Sequence, residues 1–95
     1  MTRESQEDAP NLDLRIQEFI GRYCVSTVGL AVEHHGGKWF ETYIFPANGE
    51  EITGWLEVWG VRYATEAEAR DGHEKVCDDL RNARLKTWDD EVLEP

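Results

Sequence analysis

Ninety-five residues with 40% hydrophobic content and ten aromatic side chains can fill one modest core, which argues for one small domain and against global disorder. The formal net charge of −10 gathers at the ends: Glu4, Glu7, Asp8 and Asp13 against Arg3 leave −3, and Asp89, Asp90, Glu91 and Glu94 leave −4. Such ends favour solubility and repel nucleic acid and anionic membranes; a mimic of DNA would carry its charges in rows on a rigid surface instead of on tails.

The opening MTRESQEDAP lacks the apolar stretch of a secretion signal, and no run approaches a membrane span. Cys24 and Cys77 have no CxxC spacing, so two free thiols in a reducing cytoplasm are expected. The organisation reads as an acidic tail over 1–13, a single α+β domain over 14–86 and a second acidic tail over 87–95.

LRIQEFI, Leu14 to Ile20, reads as a strand; a helix would instead line up Leu12, Ile16, Phe19, Ile20 and Tyr23. Gly21-Arg22 forms a tight turn. Val25 to His34 alternates as a firm strand, Gly36-Gly37 turns the chain, and Lys38 to Phe45 returns as the next strand before Pro46, Asn48 and Gly49 end it. The loop NGEEITG leads to a further strand over about Trp55 to Ala64. Thr65-Glu66-Ala67-Glu68 is a capping box. The helix it opens presents Ala69, His73, Val76, Leu80 and Ala83 as one stripe against the sheet. Glu66–Arg70 and Asp71–Lys75 solvate the other face. Gly72 inside this helix costs about 1 kcal/mol relative to Ala, which close approach to the sheet would justify. The expected architecture is an antiparallel β-meander of three to four strands packed by one C-terminal helix.

If His34 pairs with Lys38, then Val32 meets Phe40, Leu30 meets Thr42 and Val28 meets Ile44 on the helix side, while Ala31, Gly29 and Thr27 meet Glu41, Tyr43 and Phe45 on the other. His73, about 12 Å along the helix, then comes level with Leu30 and Thr42 and falls short of His34. Glu41 points the opposite way. A metal site built from His34, Glu41 and His73 is therefore not expected, nor is any cofactor. His73 reads as a structural histidine with Thr42 as its partner, and His34 as a polar residue at the end of the same side.

Cys24, Cys77, Ser26 and Thr27 show no base-and-orienter arrangement, no phosphate loop is present, and the aromatics lack the basic partners of a nucleic-acid platform. One helix covers one sheet face. The second face would carry Trp39, Tyr43 and Phe45 beside either Leu56 and Val58 or Trp59, Val61 and Tyr63, partly covered where the N-terminal segment folds back. Trp39, Glu41, Tyr43, Phe45 and Tyr63 are the candidate binding residues there, for a protein partner or for self-association as a homodimer.

VSTVGLAVEH, FETYIF and RYATEAEARDGH together resemble a family of small proteins encoded by phages of actinobacteria and by prophages. The matching positions are Ser26, Thr27, Val28, Leu30, His34, Phe40, Glu41, Thr42, Phe45, Arg62, Tyr63, Thr65, Glu68, Ala69, Gly72 and His73, within residues 15 to 80. Glu33 stands where the family usually has Asp, and Gly29 where it carries a bulky residue. The resemblance implies that the N-terminal segment is a strand paired with the next one. It also implies a phage accessory protein acting in the host cytoplasm by binding a host protein or defence component. The alternatives are an enzyme binding a small molecule or metal through Glu41 and the histidines, and a virion-associated structural protein.

Overall fold

The computed structural model describes residues 12–34 and 36–95. Strand β1 (Arg15–Ile20) turns through Gly21, at φ 58°, into β2 (Tyr23–His34). β2 turns through Gly36 and Gly37, both at positive φ, into β3 (Lys38–Asn48). A two-residue strand, β4 (Glu51–Ile52), folds back on the end of β3, and β5 (Trp59–Tyr63) pairs with the middle of β3. All pairings are antiparallel, in the order β1-β2-β3 with β4 and β5 on the far side of β3. Helix α1 (Glu66–Arg81) then crosses one face. This is the α+β meander with one C-terminal helix that the patterning predicts.

Thr65 caps α1 as expected, its hydroxyl accepting from Glu68 N–H while the Glu68 carboxylate accepts from Thr65 N–H. Ala69, His73, Val76, Cys77 and Leu80 form its buried side. Ala83 does not extend the stripe: the helix ends at its cap, Asn82, and Ala83 takes φ 55°, exposed. The larger core joins Val76, Cys77 and Leu80 to Ile20, Val25 and Ile44, with Leu85 and Leu93 closing one end. A smaller cluster of Leu14, Phe40 and Ala69 fills the other.

Three further expectations are corrected. The last strand does not begin at Trp55. Residues 53–58 loop over the outer face, Trp55 packs edge-on against Phe45 at 5.3 Å, and pairing resumes when Val58 N–H donates to the Ile44 carbonyl. The register also differs: His34 pairs with Lys38, but Gly29 pairs with Phe40 instead of Tyr43, a slip of three residues in between. An odd slip exchanges sheet faces, so Thr27 comes opposite Thr42 and Val25 opposite Ile44 on the helix side. A register scored on aliphatic pairing alone misses the gain from joining two hydroxyls beside a buried histidine.

The third correction concerns residues 87–95, which pack against the domain instead of trailing from it. Leu93 is 3% exposed in the main core, its N–H bonds the Leu85 carbonyl, and Lys86 bridges to Val92. Burial of one leucine, worth about 1.5–3 kcal/mol, outweighs the acidic character of the segment. The expected N-terminal tail lies outside the described residues up to Asn11. Leu12 is half-buried, its backbone close over Gly29. Among the described residues no helix is long and apolar enough to cross a membrane.

Candidate functional site

The helix side of the sheet carries a chain of polar groups that takes one residue from each of β1, β2, β3, β5 and α1. Alternation on β1 puts Glu18 on the same face as Val25 and Thr27, and α1 lays His73 above them. Thr27, Thr42 and His73 are buried. Tyr63 O–H donates to Thr42 Oγ1 at 3.0 Å, Thr42 and Thr27 hydroxyls lie 2.5 Å apart, Thr27 Oγ1 is 2.7 Å from His73 Nδ1, and His73 Nε2 is 2.9 Å from Glu18 Oε1.

With a neutral imidazole the donor directions follow by elimination. The carboxylate can only accept, so Nε2 carries the ring proton and Nδ1 accepts from Thr27. Thr27 has one proton to give, so it accepts from Thr42, which accepts from Tyr63. Every member is satisfied, and no buried side-chain polar atom among the described residues lacks a partner. Gly72 makes room for the chain: a Cβ there would lie 2.3–2.5 Å from the Tyr63 ring and hydroxyl.

Around Glu18 the chain reaches the surface. Cys77 Sγ lies 3.5 Å from Glu18 Oε1, and Arg81 Nη2 lies 3.4 Å from Oε2. Burial alone would raise the Glu18 carboxyl, but hydrogen bonds from His73 and Cys77 and the charge of Arg81 hold it below the usual carboxylate range. Burial, reinforced by the Glu18 charge, pushes the Cys77 thiol up to about 12. Burial likewise raises Tyr63, against the opposing bond to Thr42. The Thr27 hydroxyl is fully buried and shared between Thr42 and His73, so the Glu–His–Thr series presents no nucleophile to a substrate. Glu18, His73 and Cys77 are the described residues whose ligand atoms come within metal-binding reach of one another.

The outer face is built differently. Tyr43 and Phe45 meet edge to face at 5.9 Å, Phe45 meets Trp55 at 5.3 Å, and Tyr43 packs close against Gly60, where a Cβ would come within 2.7 Å of its ring. Beside Tyr43 opens a groove of about 320 Å³ lined by Glu57, Gly60, Val61, Arg62 and Trp88. Trp88 is 83% exposed, Trp55 72% and Leu56 82%. Arg62 is held by Glu41 at 3.4 Å and by the Tyr43 hydroxyl at 3.3 Å. Burial and the Glu41 and Glu57 charges raise the Tyr43 hydroxyl, with Arg62 opposing.

The structure divides the five expected binding residues. Glu41, Tyr43 and Phe45 share the outer face, but Phe45 is buried there. Tyr63 turns to the helix, and Trp39 is half-buried against the Leu14–Phe40–Ala69 cluster. Trp59 and Val61, offered as outer-face neighbours, share the helix side with Tyr63 because they pair with Ile44 and Thr42. Of the structural polar residues, Thr42 and His73 enter the same network with Thr27 between them; the His34 side chain falls outside the described residues. Glu41 and His73 lie on opposite faces, so they do not converge on a shared centre. Sequence reasoning missed Glu18, although an acid in the inward row Ile16–Glu18–Ile20 is itself a signal for a buried cationic or hydrogen-bonding partner. It also missed Trp88, Glu57 and Arg62. Comparisons with protein-family models, with curated proteins and with solved structures return no match.

Proposed function

We propose that this chain acts by binding, gripping a basic segment of a protein partner in the groove between Tyr43 and Trp88. The observation that carries this reading is a largely exposed tryptophan, Trp88, lining a groove that also holds Tyr43 and the Glu57 carboxylate. Exposed aromatics of this size supply binding energy when a partner covers them. Glu57 lines the groove, Asp89, Asp90 and Glu91 follow Trp88 in the chain, and the one cation in the lining, Arg62, is neutralised by Glu41. An arginine or lysine stacked on Trp88 or Tyr43 and facing Glu57 would gain both cation–π and ionic attraction. The net charge of −10 would steer such a partner toward the protein. The phage context implied by the sequence resemblance makes a host-cell protein the natural partner.

The test is a titration of labelled arginine-rich peptide against the native protein, Trp88→Ala and Glu57→Gln, followed by fluorescence anisotropy. Binding should weaken about tenfold in each variant and weaken further with added salt. Equal affinity for an aspartate-rich peptide would overturn the reading. Concentration-dependent dimerisation abolished by Trp88→Ala would assign the surface to a second copy of the chain instead.

A further inference from the structure

The geometry points to a second, independent site: Glu18, His73 and Cys77 form a three-ligand site for a thiophilic divalent cation, Zn²⁺ by preference, with the fourth position open to solvent beside Glu18.

The donor set is the first argument. Imidazole, thiolate and carboxylate are the ligand types zinc takes, and three protein ligands with one open position is a recurrent zinc arrangement. His73 and Cys77 stand four apart on α1, so they project from one helix face, and Glu18 meets them from β1.

The distances are the second. A tetrahedral zinc with bonds of about 2.3 Å to sulfur and about 2.0 Å to nitrogen and oxygen sets sulfur and oxygen about 3.5 Å apart, and nitrogen and oxygen about 3.3 Å apart. Cys77 Sγ and Glu18 Oε1 are 3.5 Å apart, and His73 Nε2 and Oε1 are 2.9 Å apart. All three ligand atoms fall within 4.8 Å of one another, so small side-chain shifts complete the site. Glu18, with 41% of its side chain exposed, provides the entry path.

The surroundings of the ligands are the third. Metal-binding histidines hold their second nitrogen in a hydrogen bond, and metal-binding carboxylates are themselves anchored. Thr27 holds His73 Nδ1, and Arg81 reaches Glu18 Oε2, leaving Oε1 for the ion. An ion bound to Cys77 Sγ and His73 Nε2 displaces both of their protons: the thiol proton leaves to solvent past Glu18, and the Nε2 proton leaves while Nδ1 takes one up, so His73 becomes the Nδ1–H tautomer and donates to Thr27. A group that can only donate, such as an ammonium, in place of Tyr63 at the far end would oppose such a reversal; hydroxyls both donate and accept. Thr27 then donates to Thr42 and Thr42 to Tyr63, whose half-buried hydroxyl is freed to donate to solvent. The relay thus supports both tautomers, as a site that loads and unloads requires.

The test is addition of Co²⁺ to the reduced, chelator-treated full chain, followed by competition with Zn²⁺. A thiolate-to-cobalt charge-transfer band should appear with one ion per chain, disappear on Cys77→Ser, and be displaced by zinc. Glu18→Gln, at the exposed edge of the site where folding is least at stake, should weaken zinc binding about tenfold or more. Zinc should raise the melting temperature of the native protein but not of Cys77→Ser, and nitrogen NMR should show His73 changing tautomer on loading. Absence of the band, or a band that survives Cys77→Ser and so comes from Cys24, would overturn the proposal. Unchanged zinc affinity in Glu18→Gln would do so as well.

Discussion

On the helix side of the sheet, polar side chains are buried and consume one another's hydrogen bonds. On the outer side, aromatic side chains stack along the sheet and end in tryptophans that face water. Both surfaces belong to the same strands: Thr42 and Tyr43 are neighbours in β3, one fully buried in the relay and the other flooring the groove. Alternation thus turns the even positions of this strand, Phe40, Thr42 and Ile44, to the interior and its odd positions to the outer face. The difference teaches that polarity is a poor guide to function here. The buried titratable group His73 stands among the fold's internal supports, while the large side chains left most exposed are Trp55, Leu56 and Trp88.

Substitutions on the two faces should therefore separate sharply. Phe40→Ala, on the helix side, should cost about 3–5 kcal/mol by urea unfolding, since it empties a fully buried site. Thr27→Val keeps the shape but strands both Thr42 and His73, and should cost about 1–3 kcal/mol. A loss as small as that of a surface mutant would show the relay to be dispensable. Gly72→Ala pits a helix-propensity gain of about 1 kcal/mol against a Cβ that drives Tyr63 off Thr42. The net result should be a loss of about 1 kcal/mol, and it should turn into a gain in a Tyr63→Leu background. Acid sensitivity tests the surface end of the relay. The Glu18 carboxyl lies below its usual value of 4.5 in the folded state, so its stabilisation is present above that value and fades as pH falls through the lower folded one. Glu18→Gln should flatten that part of the stability–pH curve. At the other extreme, Trp88→Ala should shift stability by no more than about 0.5 kcal/mol while peptide binding weakens about tenfold. A large loss of stability there would erase the contrast between the faces.

Much of this was legible in the chain itself. The capping box at Thr65, the hairpin between His34 and Lys38, the inward stripe from Ala69 to Leu80 and the close approach at Gly72 all follow from local rules of spacing and backbone freedom. The site was less so, because it depends on which residues meet across strands. The slip between Gly29 and His34 exchanges the faces of β2 relative to β3, and no local pattern marks it. Thr27 therefore reads as an outer residue until the ladder is seen. The inward row Ile16–Glu18–Ile20 held the clue to Glu18, but its partner lies 55 residues away. Leu93 shows the reverse failure, a single apolar residue that anchors a segment whose composition speaks for solvent.

The relay draws one side chain from each of β1, β2, β3, β5 and α1, and no subset of those elements can complete it. A molecule that has lost any one of them leaves a hydroxyl or an imidazole unpaired in a dry interior, a penalty that falls on partially folded forms and not on the native one. Its consequence is cooperativity. Local opening of β1 or β5 should be nearly as costly as global unfolding, so the slowest-exchanging amides of all five elements should exchange together instead of in a graded series.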